Sequence, residues 1–316
     1  MFQPSACYTR SGLSQRLSGR RADVEKRYGA LEAGGTKMVC AIGDASGQIM
    51  EQTSIPTTTP EETMPSIIDY FRNRKIEALG IGCFGPIDVH RDSPAFGTIL
   101  DTPKLAWRQY PIGRVLAEKL QLPIGFDTDV NGSLLGEVTY GAAKNLTDVV
   151  YITIGTGIGA GILSGGHLVH GMLHPEAGHM RLQVQPGDRY AGKCPYHGTC
   201  FEGLASGPAI EERWGKPGRE LAERPEVWEL EAAYIAQAIT SLTMILSPQR
   251  FILGGGVMHQ LQLFPMIRER VEKEIAGYLK TRELTDMEHY IVPASLHDDQ
   301  GIMGAVKLAI DAAEEG

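Results

Sequence analysis

Val149–Leu163, VVYITIGTGIGAGIL, decides how this chain is understood. Val149–Ile154 is a β-branched and aromatic run, Ile158–Leu163 is another apolar run, and a short glycine-rich turn separates them. Such residues favour strands, and a turn this short joins them as a hairpin. The same pattern occurs near the start of the chain, in Gly29–Gly43, GALEAGGTKMVCAIG. There it continues through a turn at Asp44–Gly47 into a third strand ending near Pro56. After Leu163 it continues through a turn at Ser164–Gly166 into a strand at His167–Val169. The duplication is one of pattern rather than identity, and it predicts two similar halves.

Between and beyond these hairpins the chain alternates strands and helices. Thr59-Pro60-Glu61-Glu62 has the form of a capping box with proline at the first helical position, predicting a helix to about Arg74. Ala78–Phe84 is a short apolar strand ending in Gly85-Pro86, and residues 88–109 look irregular. A helix over Ile112–Leu120, a strand over Pro123–Phe126 and a helix over Val130–Tyr140 complete the first half. The second half adds helices near Trp228–Leu246, Leu261–Leu279 and Gly301–Ala313, with strands at Arg250–Leu253 and Tyr290–Val292. This alternation predicts a largely parallel sheet in each half. The expected organisation is two α/β domains, residues 28–145 and 146–316, around a cleft, with the last helix available to pack back on the first domain. Ligands in open α/β sheets bind beyond the carboxyl ends of the strands. Gly34-Gly35-Thr36, Gly85-Pro86, Asp127–Asp129, Gly155–Gly159 and Gly254–Gly256 all fall there.

At 316 residues and 42% hydrophobic content, with 38 glycines, the composition is that of a globular α/β protein. The net charge of −8 disfavours nucleic acid or an anionic membrane as main partner. Val149–Leu163 is also too short, and too broken by glycine and threonine, to span a bilayer. Five cysteines, an odd number, predict reduced thiols and a cytoplasmic setting. Residues 1–27 carry six Lys/Arg against two acids without a continuous apolar core. A disordered extension or a start placed too far upstream is expected there in preference to an organelle transit peptide.

Chemistry concentrates in His174–Pro208. His179, Cys194, His197 and Cys200 supply two nitrogen and two sulfur donors, a set suited to tetrahedral zinc. Four protein ligands leave no open position, so such an ion would be structural. The plainer alternative is two buried thiols beside ordinary surface histidines. Glu176 and Glu202 lie immediately beside these ligands, and a rigidly held carboxylate can accept hydrogen bonds from adjacent hydroxyls of a polyhydroxylated substrate, the plainer alternative being ordinary surface acids. Gly34-Gly35-Thr36-Lys37 and Gly155-Thr156-Gly157 each offer unobstructed backbone N–H groups with a hydroxyl alongside, an arrangement that holds phosphate oxygens. Neither has the Gly-x4-Gly-Lys-Ser/Thr spacing, and Gly155–Gly159 opens a strand rather than a helix. That disfavours both the P-loop and the dinucleotide-binding fold. Asp129, between a strand and a helix, can take a proton from an attacking hydroxyl. An ordinary helix cap at Asp129, or Asp127 as the base, are the alternatives.

Taken together these motifs resemble the ROK family of sugar kinases, on the actin/hexokinase-type ATPase fold. The carriers are Glu32–Lys37, Phe84–Asp88, Asp127–Asn131, Thr156–Gly159, His174–His179 and Cys194–Pro208. The CPYHGTC loop together with the EAGGTK opening resembles the family's zinc-containing bacterial fructokinases. The resemblance implies ATP-dependent phosphorylation of a hexose, most simply fructose to fructose 6-phosphate. Asp129 would be the catalytic base, with Gly85, Pro86, Asp129, Glu176, His179 and Glu202 around the sugar. Gly35, Thr36, Lys37, Gly155, Thr156 and Gly157 would lie along the phosphates, and Gly255 and Gly256 near the adenosine. His179, Cys194, His197 and Cys200 would hold structural Zn²⁺, and Mg²⁺ would accompany ATP in a cytoplasmic homodimer. Two departures from the family pattern stand out: Glu32 where many members have Asp, and Thr128 where many have Asn. Asp101 receives no role by this transfer. The competing expectations are a kinase for mannose or glucose, a sugar-responsive repressor, or a non-catalytic sugar-binding module. Only 27 residues precede the first strand, without the helical pattern a repressor's DNA-binding domain would need.

Overall fold

The computed structural model describes residues 26–315; the expectation for residues 1–27 therefore lies almost wholly outside the described residues. The first half runs β1 (Tyr28–Ala33), β2 (Lys37–Gly43), β3 (Ile49–Pro56), α1 (Pro60–Arg72), β4 (Leu79–Cys83), α2 (Ile112–Leu120), β5 (Ile124–Thr128) and α3 (Asp129–Thr139). The second runs β6 (Val149–Ile154), β7 (Ile158–Ser164), β8 (His167–Leu168), α4 (Phe201–Ala205), α5 (Gly207–Trp214), α6 (Pro225–Leu246), β9 (Arg250–Gly254), α7 (Leu263–Ile275), α8 (Met287–Tyr290), β10 (Ile291–Pro293) and α9 (Gln300–Glu315).

The sheet orders are β3-β2-β1-β4-β5 and β10-β9-β6-β7-β8, one topology used twice. In each half the first three strands pair antiparallel, and the first strand then pairs parallel to the fourth and the fourth to the fifth. This corrects the expectation of largely parallel sheets. Hairpin turns of a few residues permit only antiparallel pairing, so parallel pairing begins where a helix provides the crossover. The capping box at Thr59 is also not formed. Proline does open α1, but the Thr59 side chain makes no cap bond. Thr63 turns instead to Pro56 O (3.2 Å) and receives the Thr58 amide (3.1 Å). Thr128, rather than Asp129, caps α3, its hydroxyl accepting from Asn131 N at 3.1 Å.

Each sheet carries its own apolar core. Leu31, Phe71, Ile81 and Trp107 are buried in the first, and Val150, Trp228, Tyr234 and Phe251 in the second. The last helix, α9, belongs spatially to the first: Ile302, Ala305, Val306 and Ala309 are buried with Tyr28, Ala30, Ala41 and Ala78. It lies against the strands so closely that a Cβ on Gly80 would fall 1.9 Å from Ala305 O and 2.6 Å from Ala309 N. Neither backbone atom can rotate away, so an added methyl must displace the helix. Gly80→Ala is accordingly expected to destabilise the protein by about 1–3 kcal/mol, the usual cost of overpacking. Denaturant unfolding checks this, and a wild-type midpoint would mean that α9 sits less tightly. No helix among the described residues is long and apolar enough to cross a membrane.

Candidate active site

Both glycine turns open onto one cavity of about 830 Å³. Gly35 reaches it from the β1–β2 turn and Gly155, Thr156 and Gly157 from the β6–β7 turn. Gly85 and Pro86 follow β4, and Thr128 and Asp129 join β5 to α3. Glu176, His179 and Glu202 complete the wall from the long excursion between β8 and α5. Thr36, Lys37, Gly255 and Gly256 are not among the lining residues. Thr36 and Lys37 are exposed at the start of β2, and Gly256 presents its amide beside Gly155. Gly255 has φ of +88°, and a Cβ there would lie 2.6 Å from Ile154 O. That conformation and that approach both require glycine.

Asp129 is the first residue of α3, so its carboxylate sits at the positive end of the helix. Oδ1 accepts from the Val130 amide at 2.9 Å, and among the described residues Oδ2 accepts from no protein group. Burial pushes the carboxyl up to about 6, the Val130 hydrogen bond opposes the rise, and the nearby negative charge of Glu176 adds to it. Asp127 differs in kind. Its Oδ1 accepts from Thr128 N (2.8 Å) and Asn131 Nδ2 (2.7 Å), and its Oδ2 meets His170 Nε2 at 2.8 Å. Both oxygens of Asp127 are committed to structure, whereas Asp129 keeps one free.

The remaining carboxylates are held by the fold. Glu202 accepts from Ile158 N at 3.0 Å and so clips α4 to the glycine turn. A Cβ on Gly157 would come within 2.8 Å of it. Glu176 lies 3.4 Å from Nδ1 of His174, whose Nε2 accepts from the Ile87 amide at 3.2 Å. An accepting Nε2 places the His174 proton on Nδ1, directed at Glu176. Burial raises the Glu176 carboxyl, with His179 opposing and Glu202 reinforcing. Glu32, on β1, is pushed up to about 7 by burial first and by Asp129 second. Its carboxylate packs where a Cβ on Gly301, in the first turn of α9, would stand 2.7 Å away.

Beside the cavity, His179, Cys194, His197 and Cys200 place one donor atom each within 4.8 Å of one another. His179 Nδ1 is 3.7 Å from Cys194 Sγ and 3.6 Å from Cys200 Sγ, and His197 Nδ1 is 3.7 Å from Cys194 Sγ. Ligand bonds of about 2.3 Å to sulfur and 2.0–2.1 Å to nitrogen, set tetrahedrally, put N and S about 3.6 Å apart. The donor set therefore has both the chemistry and the span of a structural zinc site. Burial, with Cys194 alongside, pushes the Cys200 thiol up to about 11. A bound cation would favour the Cys200 thiolate against that rise. The loop folds back at Gly192, where φ is +86° and a Cβ would strike Gly198 O at 2.1 Å. Asp188, bonded to Tyr234 Oη (2.5 Å) and Arg213 (3.2 Å), pins the preceding segment to α5 and α6.

Thr102, Lys104, Tyr196 and His174 also line the cavity and were given no role from the sequence. So does Asp101. The first two come from the segment expected to be irregular, where no periodicity marks a facing side chain. The histidines at 170 and 174 carry a faint signal in their four-residue spacing, but their partners lie far away in sequence.

A duplicated mixed sheet, a final helix returned to the first half, and a cavity lined by paired glycine turns define the actin/hexokinase-type ATPase fold. The chain belongs to the ROK family, whose family model matches residues 28–312. A fructokinase of Pediococcus pentosaceus is 47% identical over 281 residues, covering 89% of this chain and 96% of that protein. A fructokinase of Streptococcus mutans is 39% identical over 291 residues, covering 90% and 98%. Among solved structures, the ROK hexokinase from Thermus thermophilus superposes with a TM-score of 0.73 at 25% identity, covering 92% of this chain and all of that one (100%).

Proposed function

We propose that this protein is an ATP-dependent hexose kinase that prefers fructose and phosphorylates its 6-hydroxyl, with Asp129 as general base. The observation that carries this is the state of Asp129. It is a cavity-facing carboxylate with one oxygen held by its own helix, the other free, and a pKa raised towards neutrality. In the transfer, the sugar hydroxyl oxygen bonds to the γ-phosphorus as the bond from phosphorus to the β–γ bridging oxygen breaks. ADP departs, and the hydroxyl proton passes to Asp129. Little covalent chemistry is left to the protein, so alignment and charge supply most of the rate. Gly85, Pro86, Glu176, His179 and Glu202 would surround the sugar. Gly35, Thr36, Lys37, Gly155, Thr156 and Gly157 would follow the phosphates, and Gly255 and Gly256 would approach the adenosine. Thr36, Lys37, Gly255 and Gly256 stand outside the cavity wall, and they fit this role only if residues 28–145 with α9 move towards the rest on binding.

Mg²⁺ would accompany the nucleotide and offset the charge developing on its phosphates. Glu32, whose pKa is pushed up to about 7 by burial and by the charge of Asp129, carries only part of a charge at neutral pH. The zinc would be structural, tying His179 to the loop that ends in Glu202. A cytoplasmic homodimer completes this reading. The relatives named fructokinase support fructose over other hexoses.

A coupled ADP-release assay with Mg-ATP over a panel of hexoses tests the proposal. The expected result is the highest kcat/KM for fructose, with mannose and others slower. A glucose value tenfold above that of fructose would refute the preference, and no hexose-dependent ADP release would refute the kinase.

The pH dependence follows from the same carboxyl. Asp129 works only when ionised, and its pKa lies near 6. Glu32, near 7, titrates beside it, so the acid limb belongs to the pair. The expected kcat/KM is level above about pH 7.5 and falls up to about tenfold per unit below pH 6. A profile still level at pH 5 would contradict Asp129 as the base.

A further inference from the structure

We propose that His170, which is not among the residues lining the cavity, is a positioning residue. On this account it holds the catalytic end of α3 in register with the second half of the molecule, through Asp127. The inference rests on the assignment of Asp129 as base. His170 follows β8 in the second half, and Asp127 is the penultimate residue of β5 in the first; their 2.8 Å contact joins the halves directly. The other oxygen of Asp127 accepts from Thr128 N and from the Asn131 side chain, while the Thr128 hydroxyl accepts from Asn131 N. Thr128 and Asn131 flank Asp129 and form the first turn of α3. A displacement of His170 is therefore passed through one carboxylate to residues on either side of the base.

The contact has the chemistry to transmit force. Asp127 is buried, with its side chain 5% exposed, and His170 is half-buried at 29%. The hydrogen bond to Asp127 raises the His170 pKa, and burial opposes the rise. A hydrogen bond between partly desolvated groups is electrostatically stronger than the same bond in water. Four residues on, His174 repeats the arrangement by accepting from the Ile87 amide of the first half at 3.2 Å. One segment, residues 170–174, thus reaches across at two points. His174 fixes the turn beside Gly85-Pro86, and His170 fixes the helix that carries the base.

The test is steady-state kinetics of His170→Ala, His170→Gln, Asp127→Asn and the double variant His170→Ala/Asp127→Asn. Asp129→Asn serves as reference, and each protein is also melted thermally. Misalignment of a reacting group costs rate rather than binding. His170→Ala is expected to lower kcat about tenfold while KM for hexose and for Mg-ATP changes less than about threefold. His170→Gln, which can still donate to Asp127, should recover to within about threefold of wild type. The double variant should be no slower than the worse single variant, because both changes break one bond. Unchanged kcat in His170→Ala, additive losses in the double variant, or a Gln variant no better than Ala would each overturn the proposal. An inactive Asp129→Asn beside a normal His170→Ala would sink this inference alone. A near-normal Asp129→Asn would remove the base assignment itself.

Discussion

Asp129→Asn is expected to lower kcat by about 100-fold or more, the scale for losing a general base, while leaving the fold and the metal content intact. The amide keeps the size of the carboxylate and can still accept from the Val130 amide through its carbonyl oxygen. What it loses is the capacity to take a proton. The stability of the variant has a defined sign. The ordinary pKa of 3.8 rises to about 6 in the folded protein. The folded state therefore holds this proton more tightly than the unfolded chain, and stability is lost as pH rises between those values. Asparagine removes that penalty, so at pH 8 the inactive variant should melt no lower than wild type. Asp127→Asn should cost much less activity, about tenfold, because Asp127 acts through the helix and not on the hydroxyl. A near-normal kcat for Asp129→Asn with an inactive Asp127→Asn would move the base to Asp127.

Cys200→Ser should have the second largest effect, and it should reach three properties together. Cys200 contributes a donor to the four-residue cluster and caps α4 by accepting from Gly203 N at 3.4 Å. Glu202 lies in the first turn of that helix, and His179 belongs to both the cluster and the cavity wall. Serine presents a harder, shorter donor that does not reproduce a thiolate ligand. Elemental analysis should show about one zinc per chain in the wild type and a large loss in the variant. Binding and folding are coupled in such sites, so the melting temperature should fall as well. kcat/KM for hexose should drop about 10–100-fold, the range seen when groups that orient a site are removed. Wild-type protein free of zinc, or a fully active Cys200→Ser, would contradict a structural ion.

The hairpin pattern of Val149–Leu163 and its echo in Gly29–Gly43 carried the duplication, because alternation and glycine turns are local properties. The zinc ligands were legible for a related reason. Cys194, His197 and Cys200 lie within one short loop, and only His179 had to come from further away. Sheet direction follows the hairpins and not the helices between strands, since a turn like Gly34-Gly35-Thr36 dictates antiparallel pairing. α4 and α5 leave little trace in the sequence because both are short, and α4 begins directly after Cys200, where glycines and cysteines mask any helical period. The bridge from His170 to Asp127 spans 43 residues and could not be seen locally. Nor could the choice between Asp127 and Asp129. Both carboxylates stand at the same strand end, and only hydrogen-bond partners distinguish a committed group from a free one.

The central claim is that the cavity joins a hexose hydroxyl to the terminal phosphoryl group of ATP. Its most direct test is phosphorus and proton NMR of the products formed by the wild-type protein from fructose and Mg-ATP. The expected result is one ADP for each new phosphate monoester, with the phosphorus coupled to the two protons on carbon 6. Release of ADP with inorganic phosphate and no sugar ester, or an ester on a different carbon, would contradict it.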